Sequence, residues 1–474
     1  MKVSGSLPRT LLIATAVLYL VLIFLPNQYS NSPVFDFFTP YLKTSQFSQT
    51  TSTTDHTIPK STYSQTNLNH LVFGLVGSEN AWHHRKAYIE SWWRPNITKG
   101  FIFLDKPPSD SLLPWSSSSP PYRISDDLTK LLKKVRITPK RIIHAIMEVF
   151  REVDDHKNLR WLVMGDEDSI FFIDNIVDVL ATYDHTKYYY IGGHSEYILS
   201  NFWFSFRQGF GGAGIILSYP LAKALAEDME NCLIRYKRIN SADKTTGYCV
   251  ADIGVNLTPL KGMHQMDLRG DISGFLSSHP NSPLMSLHHF DMAEPIFPSM
   301  DRYDSTRHLM TAAAADQSRM LQQTICHHRQ NKWTFSISWG YSAHIYERIM
   351  PRSVLQCPIE TFKTWTENPA PPHYMFNTRR PSSDPCEAPH EFFFHSIERT
   401  GEIVTSYNRA WPRGLPACSL TGNYSAHYIS KIIVFSPPTK RVELDRSECC
   451  DVVRVDGSNA EVKLRKCVID EIIA

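Results

Sequence analysis

The chain has 474 residues, 42% of them hydrophobic and 12% aromatic, and a formal net charge of +2 with histidine neutral. That is enough apolar material for a real core, in one large or two medium domains beside a membrane anchor. The near balance of charge offers no basic stripe of the kind that tracks a phosphate backbone, so nucleic acid is not expected as a partner.

Leu11 to Leu25 (LLIATAVLYLVLIFL) is an apolar run preceded by Lys2 and Arg9 and stopped by Pro26. Counted from Ser6 or Leu7 it approaches the ~20 residues a bilayer core requires. Its positive flank predicts a cytosolic amino end, and the PNQYSNSP that follows offers no small-x-small cleavage site. The expectation is an uncleaved signal anchor in a single-pass type II membrane protein: cytosolic tail 1–10, transmembrane segment 11–26 and everything beyond it lumenal. Residues 27–66, rich in Ser, Thr, Asn and Gln, read as a flexible stem. Acceptor sequons at Asn96, Asn256 and Asn423 agree with a lumenal address. So do nine cysteines, all between Cys232 and Cys467 and without paired CxxC zinc spacing. They predict disulfides with at least one thiol left over, the adjacent Cys449 and Cys450 bonding different partners.

From Leu68 the pattern alternates. LVFGLVG (71–77) reads as a strand, WHHRKAYIESWW (82–93) as a helix and FIFLD (101–105) as a strand; a polar loop fills 107–121. Ile142, Ile143, Ile146, Val149, Phe150 and Val153 then recur at helical spacing. Trp161 to Met164 reads as a short buried strand, with Gly165 as the break after it. This order predicts an α/β fold with a mainly parallel sheet covered on both faces. After about Phe297 the texture becomes short strand-like pieces with Pro-rich joints, so residues 301–474 are expected to form a disulfide-supported β-rich region.

Asp166, Glu167 and Asp168 follow the Trp161–Met164 strand and its Gly165 break. Three consecutive acids usually mark a solvated turn, but the carboxyl ends of strands are where open α/β sheets bind ligands. Two carboxylates two residues apart can meet one divalent cation, and such a cation bridges a diphosphate. No Walker A loop and no GxGxxG following a strand supplies an alternative phosphate cradle. GFGGAGIILS (209–218) allows a close backbone approach to a ligand or another strand, ahead of an expected helix at SYPLAKALAEDM. No GxSxG elbow and no HExxH pair supports a hydrolase.

The blocks HLVFGLVGS, YIESWWRP, FLDKP, RWLVMGDEDSIFF, YYYIGG, GGAGIILSYPLAKAL, GVNLTPLKGMHQMDL, PLMSLHHFDMAEPIFP and WTFSISWGY, in order from about His70 to Cys450, resemble the fringe-like glycosyltransferases of family 31. More narrowly they look like the plant-type fringe-related proteins long described as a domain of unknown function. The resemblance implies a GT-A, Rossmann-like nucleotide-sugar transferase domain over 67–300. It further implies a Golgi type II membrane protein, a UDP-sugar donor, manganese, a glycan or glycoprotein acceptor, and inverting transfer that usually makes a β-1,3 linkage.

Carried over residue by residue, Asp168 is the expected direct metal ligand, and Asp166 holds water or the ribose side of the donor. Glu167 stands where the family has a third Asp. A metal-coordinating histidine is implied, with His264 and His288 both fitting, and Arg85 is a candidate for the diphosphate. The family's acceptor-activating acidic pair falls at SADKTTG, where the first acid is replaced by Ala242 and Asp243 remains. Asp243 is therefore the expected general base, with Asp252 in reserve. The loss of one acid keeps an alternative open, an inactive fringe-like protein that binds glycans or acts as a scaffold.

Overall fold

Alternate residues of the first strand, β1 (Leu71–Val76), face two different cores. Leu71, Phe73 and Leu75 enter one cluster, and Val72 and Val76 enter another. The two-residue period of an extended chain produces that split, and a strand apolar on both faces is the interior of a covered sheet. The computed structural model describes residues 64–472 except 368, 419–424, 443 and 444. The expected anchor, nearly all of the stem and the Asn423 sequon lie outside the described residues. No helix among the described residues is long and apolar enough to cross a membrane.

The sheet has seven strands. Outward from β1 on one side run β2 (Gly100–Leu104) and β3 (Tyr122–Ile124); on the other run β4 (Trp161–Asp166), β7 (Ile215–Ser218), β6 (Tyr190–Gly192) and β8 (Leu257–Pro259). Only the two pairings made by β7 are antiparallel. The carboxyl ends of β1, β4, β6 and β8 thus open on one edge, beside the amino end of β7. The helices α1 (Glu79–Glu90) and α3 (Ile173–Leu180) cover one face through Trp82, Tyr88, Ile89, Ile173 and Ile176. The other face carries α2 (Thr138–Glu152) and α5 (Tyr219–Arg235), through Ile143, Ile146, Val149, Leu221, Leu225 and Met229. Two further helices, α4 (Ile198–Trp203) and α6 (Ala242–Asp252), flank the edge where the strands end.

Gly165 does not break the strand that begins at Trp161. It lies inside β4, where an added Cβ would sit 2.8 Å from the Phe171 ring and 2.9 Å from Ser169 Oγ. Asp166 is consequently the last residue of the strand rather than part of a loop beyond it. Beyond it β5 (Ile170–Phe171) pairs antiparallel with β10 (Ser286–Leu287), and β9 (Leu268–Gly270) follows Asp267.

The β-rich region is a mixed sheet of eight strands. These are β11 (Gln323–His328), β12 (Trp333–Ser338), β13 (Ser342–Tyr346), β15 (His390–Arg399), β16 (Ile403–Arg409), β17 (Lys431–Ser436), β19 (Asn459–Arg465) and β18 (Cys449–Asp456), in that spatial order. Before it comes α7 (Arg302–Ala315), a helix that the strand-like reading of this half missed. Asp301 caps it by accepting from the backbone N–H groups of Tyr303 and Asp304 at 2.8 and 2.7 Å, and an alanine run closes it. The region shares its core with the first sheet, since Phe73 and Trp92 belong to the same buried cluster as Trp339, Tyr341, Phe393 and Val462. β14 (Phe362–Thr364) pairs with β9 as well. Residues Gln65–Ala474 form one compact unit.

Disulfides join Cys232–Cys249, Cys326–Cys450, Cys386–Cys418 and Cys449–Cys467, and Cys357 is free. The adjacent Cys449 and Cys450 bond different partners, as their spacing predicts. Cys326–Cys450 joins β11 to β18, the two outermost strands of the second sheet, which lie side by side. This bridge spans 124 residues, and in the chain-entropy account a loop of that size is worth about 4–5 kcal/mol. Cys326→Ala/Cys450→Ala should lower the unfolding free energy by roughly that amount in a non-reducing denaturant titration; a change below about 1 kcal/mol would show that packing alone holds those strands together.

Candidate functional site

Each side chain of the site is held by a different element. The antiparallel β5–β10 pair aligns Leu287 with Ile170, which brings His288 over the Asp168 turn. Ser169 keeps the turn closed: its Oγ accepts from the Asp166 backbone N–H at 2.8 Å and donates to the Gly212 carbonyl at 2.7 Å. Helix α1, capped by Ser78, delivers Arg85 and Tyr88 to the same place. Asp243 sits in the first turn of α6, whose N-cap is Ser241. Cys232–Cys249 staples α6 to α5. Buried Lys140 ties the connection between those helices to α2, donating to the carbonyls of Tyr236 and Ile239 at 2.8 and 2.9 Å.

The glycine-rich run resolves into two close approaches. A Cβ on Gly212 would collide with the His288 imidazole, and Gly211 donates its N–H to Asp243 Oδ1 at 2.8 Å. Asp166, Gly165, Gly209, Gly211, Ala242 and Asp243 line one small cleft. Candidate base, candidate ligand and the position of the missing acid therefore share it.

One ligand atom from each of Asp166, Asp168 and His288 lies within 4.8 Å of the others. His288 Nε2 is 3.3 Å from Asp168 Oδ1 and 3.9 Å from Asp166 Oδ2. Arg85 Nη1 lies 3.3 Å from Asp168 Oδ1 and 3.4 Å from Glu167 Oε1, while its Nε donates to Asp291 Oδ2 at 2.8 Å. Asp168 is 1% exposed, and neither of its oxygens has a hydrogen-bond partner among the described residues. A buried carboxylate left so is costly, and a divalent cation is the partner that two carboxylates and an imidazole suit.

Three other groups of similar residues are otherwise occupied. Cys449 and Cys467 are joined in a disulfide. Glu347 accepts from His390, Cys418, Ser425 and Ala426. Asp126 is gripped at both oxygens by Arg151.

Charge explains the rest. Burial pushes Asp166 up to about 7, with Glu167, Asp168 and Asp243 adding to the shift against His288. Burial and Asp168 raise Glu167 too. Burial also works against the charge on Asp168, yet His288 and Arg85 hold it well below the usual carboxylate range. Burial opposes the charge on His288 as well, and Asp168 with Asp166 outweighs it, lifting the imidazole to about 9. Asp243 is raised by burial to about 6, with the Gly211 N–H pulling the other way. Mutual repulsion among half-compensated acids is what a bound cation relieves.

The structure separates the two histidines that the sequence leaves open. His288 joins Asp166 and Asp168; His264 does not, its Nδ1 meeting Glu196 Oε1 at 2.7 Å and its Nε2 meeting His279 Nε2 at 2.9 Å. Asp252 is likewise remote from the cleft, at the far end of α6, where Arg235 and Tyr236 bond it at 2.9 and 2.8 Å. Arg85 is paired with the acids.

Sequence reading missed Asp291, Asp267, His289 and Trp365. Asp291 accepts from Arg85 and Tyr88. Asp267 Oδ1 meets His289 Nδ1 at 2.9 Å, and His289 stacks on Trp365 with ring centroids 4.6 Å apart. Met266, Asp267 and His289 all have left-handed backbone, with φ of 63, 53 and 57°. Such strain in non-glycine residues concentrates at functional sites, but it leaves no mark in a sequence.

Gly212→Ala should destabilise the fold by about 1–3 kcal/mol, the usual cost of overpacking, because Asp168 and His289 leave the His288 ring no room to retreat. Urea unfolding measures it, and an unchanged midpoint would mean that the ring is not pinned there.

No curated protein matches the chain. Residues 200–450 match the model of the family described as "Protein of unknown function, DUF604". That stretch runs from the aromatic segment before the glycine loop, through Asp243 and His288, into the second sheet, and it covers more than half of the chain's 474 residues. The chain belongs to the DUF604 family.

Proposed function

We propose that this protein is an inverting glycosyltransferase of GT-A type that moves a sugar from a UDP-sugar donor to an acceptor hydroxyl, usually as a β-1,3 linkage, in the Golgi lumen behind an amino-terminal anchor. The observation that carries the reading is the Asp166, Asp168 and His288 group at the end of a buried strand, with Asp243 lining the same cleft as Asp166. The association of DUF604 with glycosyltransferase-like proteins agrees with it. Four disulfides and the exposed sequon residues Asn96 and Asn256 suit a lumenal domain.

Asp166, Asp168 and His288 would hold the divalent cation, manganese by family resemblance, which when bound offsets charge on the departing nucleotide diphosphate. Asp243 accepts the proton of the acceptor hydroxyl as the new bond from that oxygen to the anomeric carbon forms and the bond from that carbon to the diphosphate breaks. Gly211, by donating to one oxygen of Asp243, fixes the orientation of the carboxylate and leaves its other oxygen for the proton. Arg85, clamped by Asp291, keeps Asp168 ionised and in place.

A second reading is favoured by one observation: Ala242 lines the cleft where a second acid would stand. On that reading the protein keeps the donor site and binds glycans without turnover.

Incubating the purified full-length protein with a panel of UDP-sugars and manganese, and following donor consumption, decides between them. Wild type should consume one donor, and Asp168→Asn should reduce transfer at least about a thousandfold, the order expected when charge stabilisation of a leaving group is lost, together with manganese-dependent UDP binding. Wild-type-like transfer in that variant discards the metal assignment. With Asp243 as base and its pKa raised to about 6, the competent ionised form is present above that pH. Turnover should fall as pH drops through it, and a profile flat from pH 5 to pH 8 would remove Asp243 from the role.

A further inference from the structure

A second cavity, of about 730 Å3, opens on the same edge of the first sheet. Its walls come from the segments that leave β6 and β8 at their carboxyl ends, His194–Glu196 and Leu260–His264, and from Phe275 and His279. The β-rich region supplies the opposite wall through Phe376 and Arg352, the latter in the short helix α8 (Arg352–Leu355). The volume lies within the roughly 300–1,000 Å3 usual for small-molecule sites.

Two buried polar atoms of this lining have no hydrogen-bond partner among the described residues: Nδ1 of His279, which is 2% exposed, and Nη1 of Arg352. Arg352 is held from its other nitrogen by Ser447 Oγ, so its free N–H group is fixed in position. His279 is held through Nε2 by His264, which is held in turn by Glu196.

Among the described residues Glu196 is the only carboxylate in the lining, and its oxygens are occupied by His264 and by the Met266 N–H. Burial drives it toward the neutral form. Arg352 and exposed Lys261 therefore leave the lining cationic, with an unpaired donor fixed inside. An oxyanion is the group that satisfies it. The same lining carries half-buried Phe376 and exposed Met375, apolar surfaces that suit the C–H face of a pyranose.

We propose that this cavity binds an acidic sugar unit of the acceptor, its carboxylate against Arg352 and its ring against Phe376 and Met375. The assignment of that sugar to the acceptor rests on the transferase reading; the cavity's preference for a carboxylated sugar does not.

Calorimetric titration of the full-length protein in detergent, without donor, tests it using a disaccharide ending in glucuronic acid, its neutral glucose counterpart and inorganic sulfate. The charged disaccharide should bind at least about tenfold tighter than the neutral one, the order of one charge-assisted contact. Arg352→Gln should remove that advantage while manganese-dependent UDP binding stays unchanged, which also shows that the variant is folded. Lys261→Ala, at an exposed position, should weaken the charged disaccharide about threefold or more. Equal binding of the two disaccharides, unchanged affinity in Arg352→Gln, or sulfate binding as tightly as the charged disaccharide would each overturn the proposal. Glucuronide binding without donor consumption would sink the transferase reading and leave the cavity's assignment standing; donor consumption without glucuronide selectivity would do the reverse.

Discussion

A carboxylate taken out of water without hydrogen bonds is among the least tolerable features of a protein interior, and the architecture at the end of β4 is organised around one. Asp168 keeps its charge there because Arg85 arrives from α1 and His288 from the position directly after β10, while Gly212 omits the side chain that would exclude the imidazole. Each of these depends on something further out. Asp291 clamps Arg85, Ser169 locks the turn, and the β5–β10 pairing sets the register of His288. An arrangement that sustains a strained backbone at Met266, Asp267 and His289 as well is over-determined by its surroundings, as site geometry must be.

Much of the first sheet was legible because its signals are local. Strands apolar on both faces, such as Leu71–Val76 and Trp161–Met164, and the helical spacing of Ile142 to Val153 survive in any tertiary context. Gly165 was misread because a glycine inside a strand and one ending it look alike in sequence; only the Phe171 ring and Ser169 packed against it tell them apart. The helix Arg302–Ala315 was overlooked among strand-like segments, its alanine-rich end offering little amphipathic contrast.

At the site, the acids were legible as a spacing, but the choice between His264 and His288 was not. Both are buried histidines with an aspartate three positions further on, and what separates them is a two-residue strand pairing that local pattern does not encode. Asp252 failed as a reserve base for a simpler reason. It lies at the other end of the helix that carries Asp243, so the helical rise alone takes it away from the cleft. Asp291, Asp267 and Trp365 matter through contacts with residues far away in the chain, and no periodicity announces those.

An outermost strand usually presents a row of unpaired amides and carbonyls that any extended peptide can extend. In the second sheet the two outermost strands, β11 and β18, lie against each other and are covalently tied at Cys326 and Cys450. Each screens the other's open margin, so a stray chain finds no ledge there on which to nucleate a fibril or swap a segment. The bridge thereby works as colloidal protection for the whole molecule, separately from whatever it adds to the folding equilibrium.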